Sequence, residues 1–160
     1  MLRNAFQIVL LALATSLLSG CLSLTPPKVA VESIEVIAVS SEAMAVSLHG
    51  TVANPHASQV RLLEFDYSLS VDGRSVFSGR HAAEMALIPG ADRKIMLPAS
   101  FPYAKLGWDP QSLPDTSRWS MSGSLIYLGE GVLAETLLDM GYRPSTGMSA
   151  SGELVLQPPG

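Results

Sequence analysis

The sequence predicts an all-β domain: an antiparallel sandwich of two sheets with at most a short helix. Three observations carry this. Apolar residues recur with period two in one segment after another. Turn signals rich in Gly, Pro, Asn and Asp separate those segments. Only residues 131–141 suit helical spacing as well as strand spacing. Period two matters because successive side chains of a strand point to opposite faces. Each segment therefore offers one face to a core and the other to water.

The first strand opens on odd positions, Val29 and Val31, and continues on even ones, Ile34, Val36 and Ala38. Both halves face one core only if an extra residue bulges out, which predicts a bulge near Glu32-Ser33. Met44, Val46 and Leu48 then alternate with Ala45, Ser47 and His49. Val60 and Leu62 give way to Leu63, Phe65, Tyr67, Leu69 and Val71, so a second bulge is predicted at Leu62-Leu63. Further faces follow in Ile95, Leu97, Ala99, Phe101 and Tyr103, and in Trp119, Met121, Gly123, Leu125 and Tyr127. Met148, Ala150, Gly152, Leu154 and Leu156 close the series.

Asp72-Gly73 predicts a two-residue hairpin, because both residues tolerate positive φ. Asn54-Pro55 ends a strand: the residue before proline is pushed to extended geometry, and the Asn side chain can cap the turn. Pro89-Gly90 and Asp109-Pro110 mark loops, and residues 105–117 form a crossover with at most one helical turn. In residues 131–141, Leu133, Leu137 and Met140 suit a helix while Val132 to Leu138 also suits a strand, so both stay open. The strand series makes a sandwich of the immunoglobulin or fibronectin III kind over residues 29–157.

The N-terminus follows a different rule. Arg3 is its only charge, and residues 5–18 are apolar except for Gln7, Thr15 and Ser16. That length suits a signal-peptide core and falls short of the roughly 20 apolar residues that span a bilayer. It ends in Leu18-Ser19-Gly20-Cys21, which resembles the bacterial lipobox. The resemblance implies a diacylglyceryl thioether on Cys21, cleavage before it, and acylation of the new amine. Residues 1–20 are then a removed signal peptide, residues 21–28, with Thr25-Pro26-Pro27, a lipidated tether, and the first partner a membrane held through acyl chains on Cys21. Leu22 follows where an aspartate would imply inner-membrane retention. By resemblance to Gram-negative lipoproteins, this favours the outer membrane, facing the periplasm. Cys21 is the one cysteine, so the chain has neither an intrachain disulfide nor a thiolate metal cluster.

Loss of Arg3 leaves nine basic against fourteen acidic side chains and takes the formal charge from −4 to −5. Only Arg93-Lys94 are adjacent bases, so a nucleic-acid surface is not expected. A domain of this length carries one core.

The order Asn54-Pro55, apolar strand with Tyr67-Ser68-Leu69-Ser70-Val71, Asp72-Gly73, Ser78-Gly79 and Ile88-Pro89-Gly90 resembles the LEA type 2 family, the LEA14-like or WHy domain. The opening Pro27-Lys28-Val29-Ala30-Val31-Glu32-Ser33-Ile34 and the strand with Gly123 fit the same pattern, and the likeness covers most of residues 27–157. It implies a folded sandwich, an association with desiccation or related stress, and structural roles for Asn54, Pro55, Tyr67, Gly73, Gly79, Pro89 and Gly123. His56 departs from the pattern, which often has a second asparagine there.

Catalytic, metal and cofactor sites are not expected. His49, His56 and His81 are scattered along the chain, with no spacing that brings them to one metal. No Gly-x-Ser-x-Gly elbow occurs, and Gly129-Glu130-Gly131 lacks the Lys-Ser/Thr of a phosphate loop. Glu64 and Asp66 share a strand face as exposed charges; Trp108 and Trp119 serve as loop or core anchors. The leading expectation is a non-enzymatic, membrane-anchored protectant of envelope components. The rivals are an envelope adaptor that binds a protein partner through an edge strand or loop, and, last, a hydrolase. Oligomeric state is left open.

Overall fold

The computed structural model describes residues 25–156. The expectations placed on the signal peptide, on Leu18, Ser19 and Gly20, and on Cys21 lie outside the described residues. Seven strands form two antiparallel sheets: β1 (Lys28–Val39), β2 (Ala43–Ala53), β3 (Val60–Val71), β4 (Arg74–Leu87), β5 (Asp92–Pro102), β6 (Thr116–Gly129) and β7 (Ser145–Val155). The smaller sheet has the order β1-β2-β5 and the larger β4-β3-β6-β7. Between them lies one core that includes Met44, Leu48, Phe65, Leu69, Phe101 and Leu125. The all-β sandwich read from period two is the observed architecture.

Both expected bulges occur. The β1–β2 register slips between Val31 and Ser33, so Glu32 is the extra residue, and β3 slips against β6 between Leu62 and Glu64, so Leu63 is the extra residue there. Alternation did not reveal three others, at Ile37 in β1 and, in β4, at Val76 and at Ala83-Glu84, where Glu84 has φ 44°. Nor did it reveal how far β4 runs. Gly79, His81 and Ala83 on its half-buried face are too small or too polar to mark a strand. His81 accordingly sits within β4, opposite Phe65.

Asp72 and Gly73 have φ of 48° and 75°, as a two-residue hairpin requires. Residues 131–141 resolve as a helix, α1 (Val132–Asp139), rich in good helix formers and bounded by glycines at φ 114° and 88°. Its end is a Schellman cap: Gly141 N–H donates to Leu138 C=O at 2.9 Å and Tyr142 N–H to Leu137 C=O at 2.8 Å. The helix lies against β6, where Leu128 faces away from the core yet is 2 % exposed, and Glu135 pairs with Arg61 of β3. Residues 103–105 form a single helical turn that leads from β5 into the crossover.

This topology gives the sandwich two distinct ends. At the near end lie the starts of β1, β3, β5 and β7, the Asn54 turn, the Ile88-Pro89-Gly90 turn and α1. At the far end lie the β1–β2 turn, the Asp72-Gly73 hairpin, the crossover loop and the end of β7. Pro27 is already buried, so the chain enters the fold there, at the near end.

Candidate functional site

The residues singled out from the sequence collect at three places, and the first is the near-end junction. Asn54 is 1 % exposed and all its hydrogen-bonding groups are engaged. Its amide donates to Leu87 C=O at 2.9 Å and to Ser58 C=O at 3.0 Å, and its side-chain oxygen accepts from His56 N–H at 3.0 Å. Its backbone N–H donates to Ala91 C=O and its C=O accepts from Gly90 N–H. One neutral side chain thus ties the end of β2 to the end of β4, in the other sheet. Pro55 directs the chain away from the strand after this anchor. Pro89 and Gly90 complete a tight turn in which Ala91 N–H donates to Ile88 C=O at 3.1 Å, with Gly90 at φ 70°, the type II pattern.

His56 replaces the second asparagine without loss of the turn. Its Nδ1 accepts from Ser58 N–H at 3.0 Å, as an Asn oxygen would. Ser58 Oγ is also 2.7 Å from this nitrogen, so distance alone leaves a serine–histidine pair for hydrolysis. The same nitrogen is already occupied by the backbone N–H of the next residue but one, and among the described residues no acid is bonded to the ring. The geometry is that of a turn. Among the described residues, no three His, Cys, Asp or Glu side chains are grouped to hold a metal ion.

The second place is one row across the larger sheet, where Gly79, Tyr67 and Gly123 are register neighbours. A Cβ on Gly123 would lie 2.3 Å from Asp66 O and 2.8 Å from Tyr67 Cα, so β3 and β6 approach too closely for any side chain there. A Cβ on Gly79 would meet the Phe77 ring at 2.8 Å, and that ring packs on Tyr67 with centroids 5.4 Å apart. The Tyr67 hydroxyl donates to Pro98 C=O in the other sheet, and burial pushes its pKa up to about 12. Tyr67 is therefore a second tie between sheets. Gly73 acts elsewhere, in the hairpin. Gly50 was missed: a Cβ would lie 2.3 Å from Ala30 O beside the Glu32 bulge, a demand set by pairing that local sequence does not announce.

The third place is the outer face of the larger sheet. Ser78, Ser68, Ser122 and Ser149 form one row across its four strands, and Ser75, Ser70, Ser120 and Ser151 the next. Neighbouring hydroxyls of Ser68 and Ser122 are 3.3 Å apart. Beside them Arg80 lies 3.3 Å from Asp66 and 3.8 Å from Glu64, so the two acids share a cation. The sequence marks a serine-rich strand face; only the register assembles four such strands into a lattice.

No family model matches the chain, and no curated protein matches its sequence. Solved structures do. The chain is similar to AT1g01470 from Arabidopsis thaliana, with TM-score 0.63 and 15 % identity over 86 % of this chain and 89 % of that one. It is similar to At2g46140.1, provisionally designated a late embryogenesis abundant (LEA) protein, with TM-score 0.58 and 14 % identity over 96 % and 85 %. A protein from Archaeoglobus fulgidus gives TM-score 0.52 and 10 % identity over 81 % and 99 %. Identities this low establish the fold alone, an LEA-type sandwich.

Proposed function

We propose that this chain is a non-enzymatic bacterial lipoprotein of the LEA type 2 group, anchored through Cys21 and protecting envelope components in desiccation or osmotic stress. The observation that carries the protective reading is the double row of eight serines on an acidic sandwich. As bulk water is withdrawn, such a face offers neighbouring surfaces many weak, exchangeable hydrogen bonds and no single tight site. The LEA-type fold supports the same reading. Leu18-Ser19-Gly20-Cys21 supports the anchor, and Leu22 supports an outer-membrane destination facing the periplasm.

The adaptor reading has less support where it relies on an edge strand. Of the four edge strands, β1 and β4 each carry two register irregularities and β5 carries Pro98 and Pro102, devices that blunt strand addition, while β7 is regular and lies against β1. The discriminating experiment is deletion of the gene, complemented by wild type or by a variant with Ser68, Ser70, Ser120 and Ser122 changed to Val. Reduced survival of drying, rescued only by wild type, is expected. Unchanged survival of drying, osmotic and freezing stress overturns the protectant reading. A single stoichiometric crosslinked protein in intact cells supports the adaptor.

A further inference from the structure

The near end carries apolar side chains that the fold leaves in water. Ile88 is 63 % exposed, Val132 85 %, Met140 77 % and Tyr142 57 %. Ile88 projects from the Pro89-Gly90 turn, and the other three belong to α1 and its cap. Exposed apolar groups gathered at one end mark an interaction surface more often than chance decoration.

Where the chain enters the fold says what covers this end. Pro27 is buried at the start of β1, and β1 lies alongside β7, whose own start follows α1. Cys21 precedes Pro27 by six residues, a reach of about 20 Å even when fully extended. We infer that the near end is a membrane-contact surface, with Val132, Met140, Tyr142 and Ile88 seated in the interfacial layer of the bilayer that holds Cys21. This rests on the lipoprotein reading. A short tether keeps the domain at high effective concentration against the bilayer, so side chains too few to bind alone suffice to orient it. Tyr142 suits this layer, with an apolar ring and a polar tip.

Charge does not drive the contact. The exposed charges of this end nearly balance, Asp92, Glu130 and Asp139 against Lys28, Arg93, Lys94 and Arg143, while Glu135 and Arg61 neutralise each other. The contact is therefore expected to be insensitive to salt and to anionic lipid. Ile37, Val39 and Val155, also exposed, lie toward the far end, and Met96, 65 % exposed, lies midway along β5; none of the four is at the near end.

Trp108 and Trp119 both lie toward the far end, which gives a built-in control. Full-length protein, lipidated in a Gram-negative host and labelled with palmitate, is reconstituted in phosphatidylethanolamine/phosphatidylglycerol vesicles with brominated chains. Met140→Trp and, independently, Ile88→Trp are expected to raise bromolipid quenching roughly twofold or more over wild type, with a blue-shifted emission. Val155→Trp is expected to add none. Palmitate-labelled Met140→Trp and Ile88→Trp proteins quenched no more than Val155→Trp overturn the contact surface and leave the anchor standing. Absence of palmitate removes the anchor and the surface with it. Met140→Trp shielded from bromolipid by a crosslinked protein also overturns it.

Discussion

The two ends of the sandwich close by different chemistry. At the far end, solvent-accessible charges hold the loops. Asp72 accepts from Ser117 Oγ at 3.1 Å and from Arg118 N–H at 3.0 Å, Arg74 donates to Leu106 C=O at 2.9 Å, and Lys105 donates to Val76 C=O at 2.8 Å. At the near end one buried, neutral amide, Asn54, does the corresponding work. A charge buried there would lose more hydration than hydrogen bonds return, whereas an amide with each group engaged recovers most of its smaller loss.

Asn54→Ala is the sharpest way to break this contrast. It strands the buried Leu87 carbonyl and unties the sheets, with an expected loss of about 2–4 kcal/mol by urea unfolding. At the far end Asp72→Ala is expected to cost less, about 1–2 kcal/mol, since water replaces part of what is lost and the penalty lies partly in alanine at φ 48°. If Asp72 proves the costlier of the two, the burial argument fails. Tyr103, just beyond β5, reverses the sign: its buried hydroxyl has no protein partner among the described residues. Tyr103→Phe is expected to stabilise by about 0.5–1 kcal/mol, whereas Tyr67→Phe, which loses the bond to Pro98, destabilises by a similar amount. Smallest of all, His56→Asn is expected to change stability by less than about 0.5 kcal/mol, because asparagine can accept from the same Ser58 N–H.

The tyrosines add a pH dependence. Burial raises Tyr67 from 10 to about 12 and shifts Tyr103 and Tyr127 in the same direction, Tyr127 also through nearby Tyr142. The native state therefore holds these protons more tightly than the unfolded chain. Their contribution is intact below pH 10, and for Tyr67 it is lost as pH rises from 10 toward 12. Thermal unfolding across that window is expected to show a steep fall in wild type and a shallower one in Tyr67→Phe.

Much of the fold was legible because it depended on local alternation. The faces of β2, β3, β5 and β6, the bulges at Glu32 and Leu63, and the Asp72-Gly73 hairpin all follow from periodicity and positive-φ chemistry. The length of β4 escaped because an edge strand beside bulky neighbours can present Gly79 and Ala83 inward. The helix was ambiguous by apolar spacing, although Gly131 and Gly141 at its two ends were signals for its boundaries. The near-end site was half legible. Asn54, Pro55 and Pro89 could be named as turn residues, but their meeting across two sheets is a property of topology. The serine lattice and the need for Gly50 are properties of register, which no single segment encodes.

Cys21 is the residue that would set the near end against a bilayer. Metabolic labelling with palmitate, in wild type and in Cys21→Ser, tests it most directly. Label in wild type, abolished in Cys21→Ser with the protein released from the membrane fraction, is the predicted result. An unlabelled wild type, or label that survives in Cys21→Ser, would contradict the account.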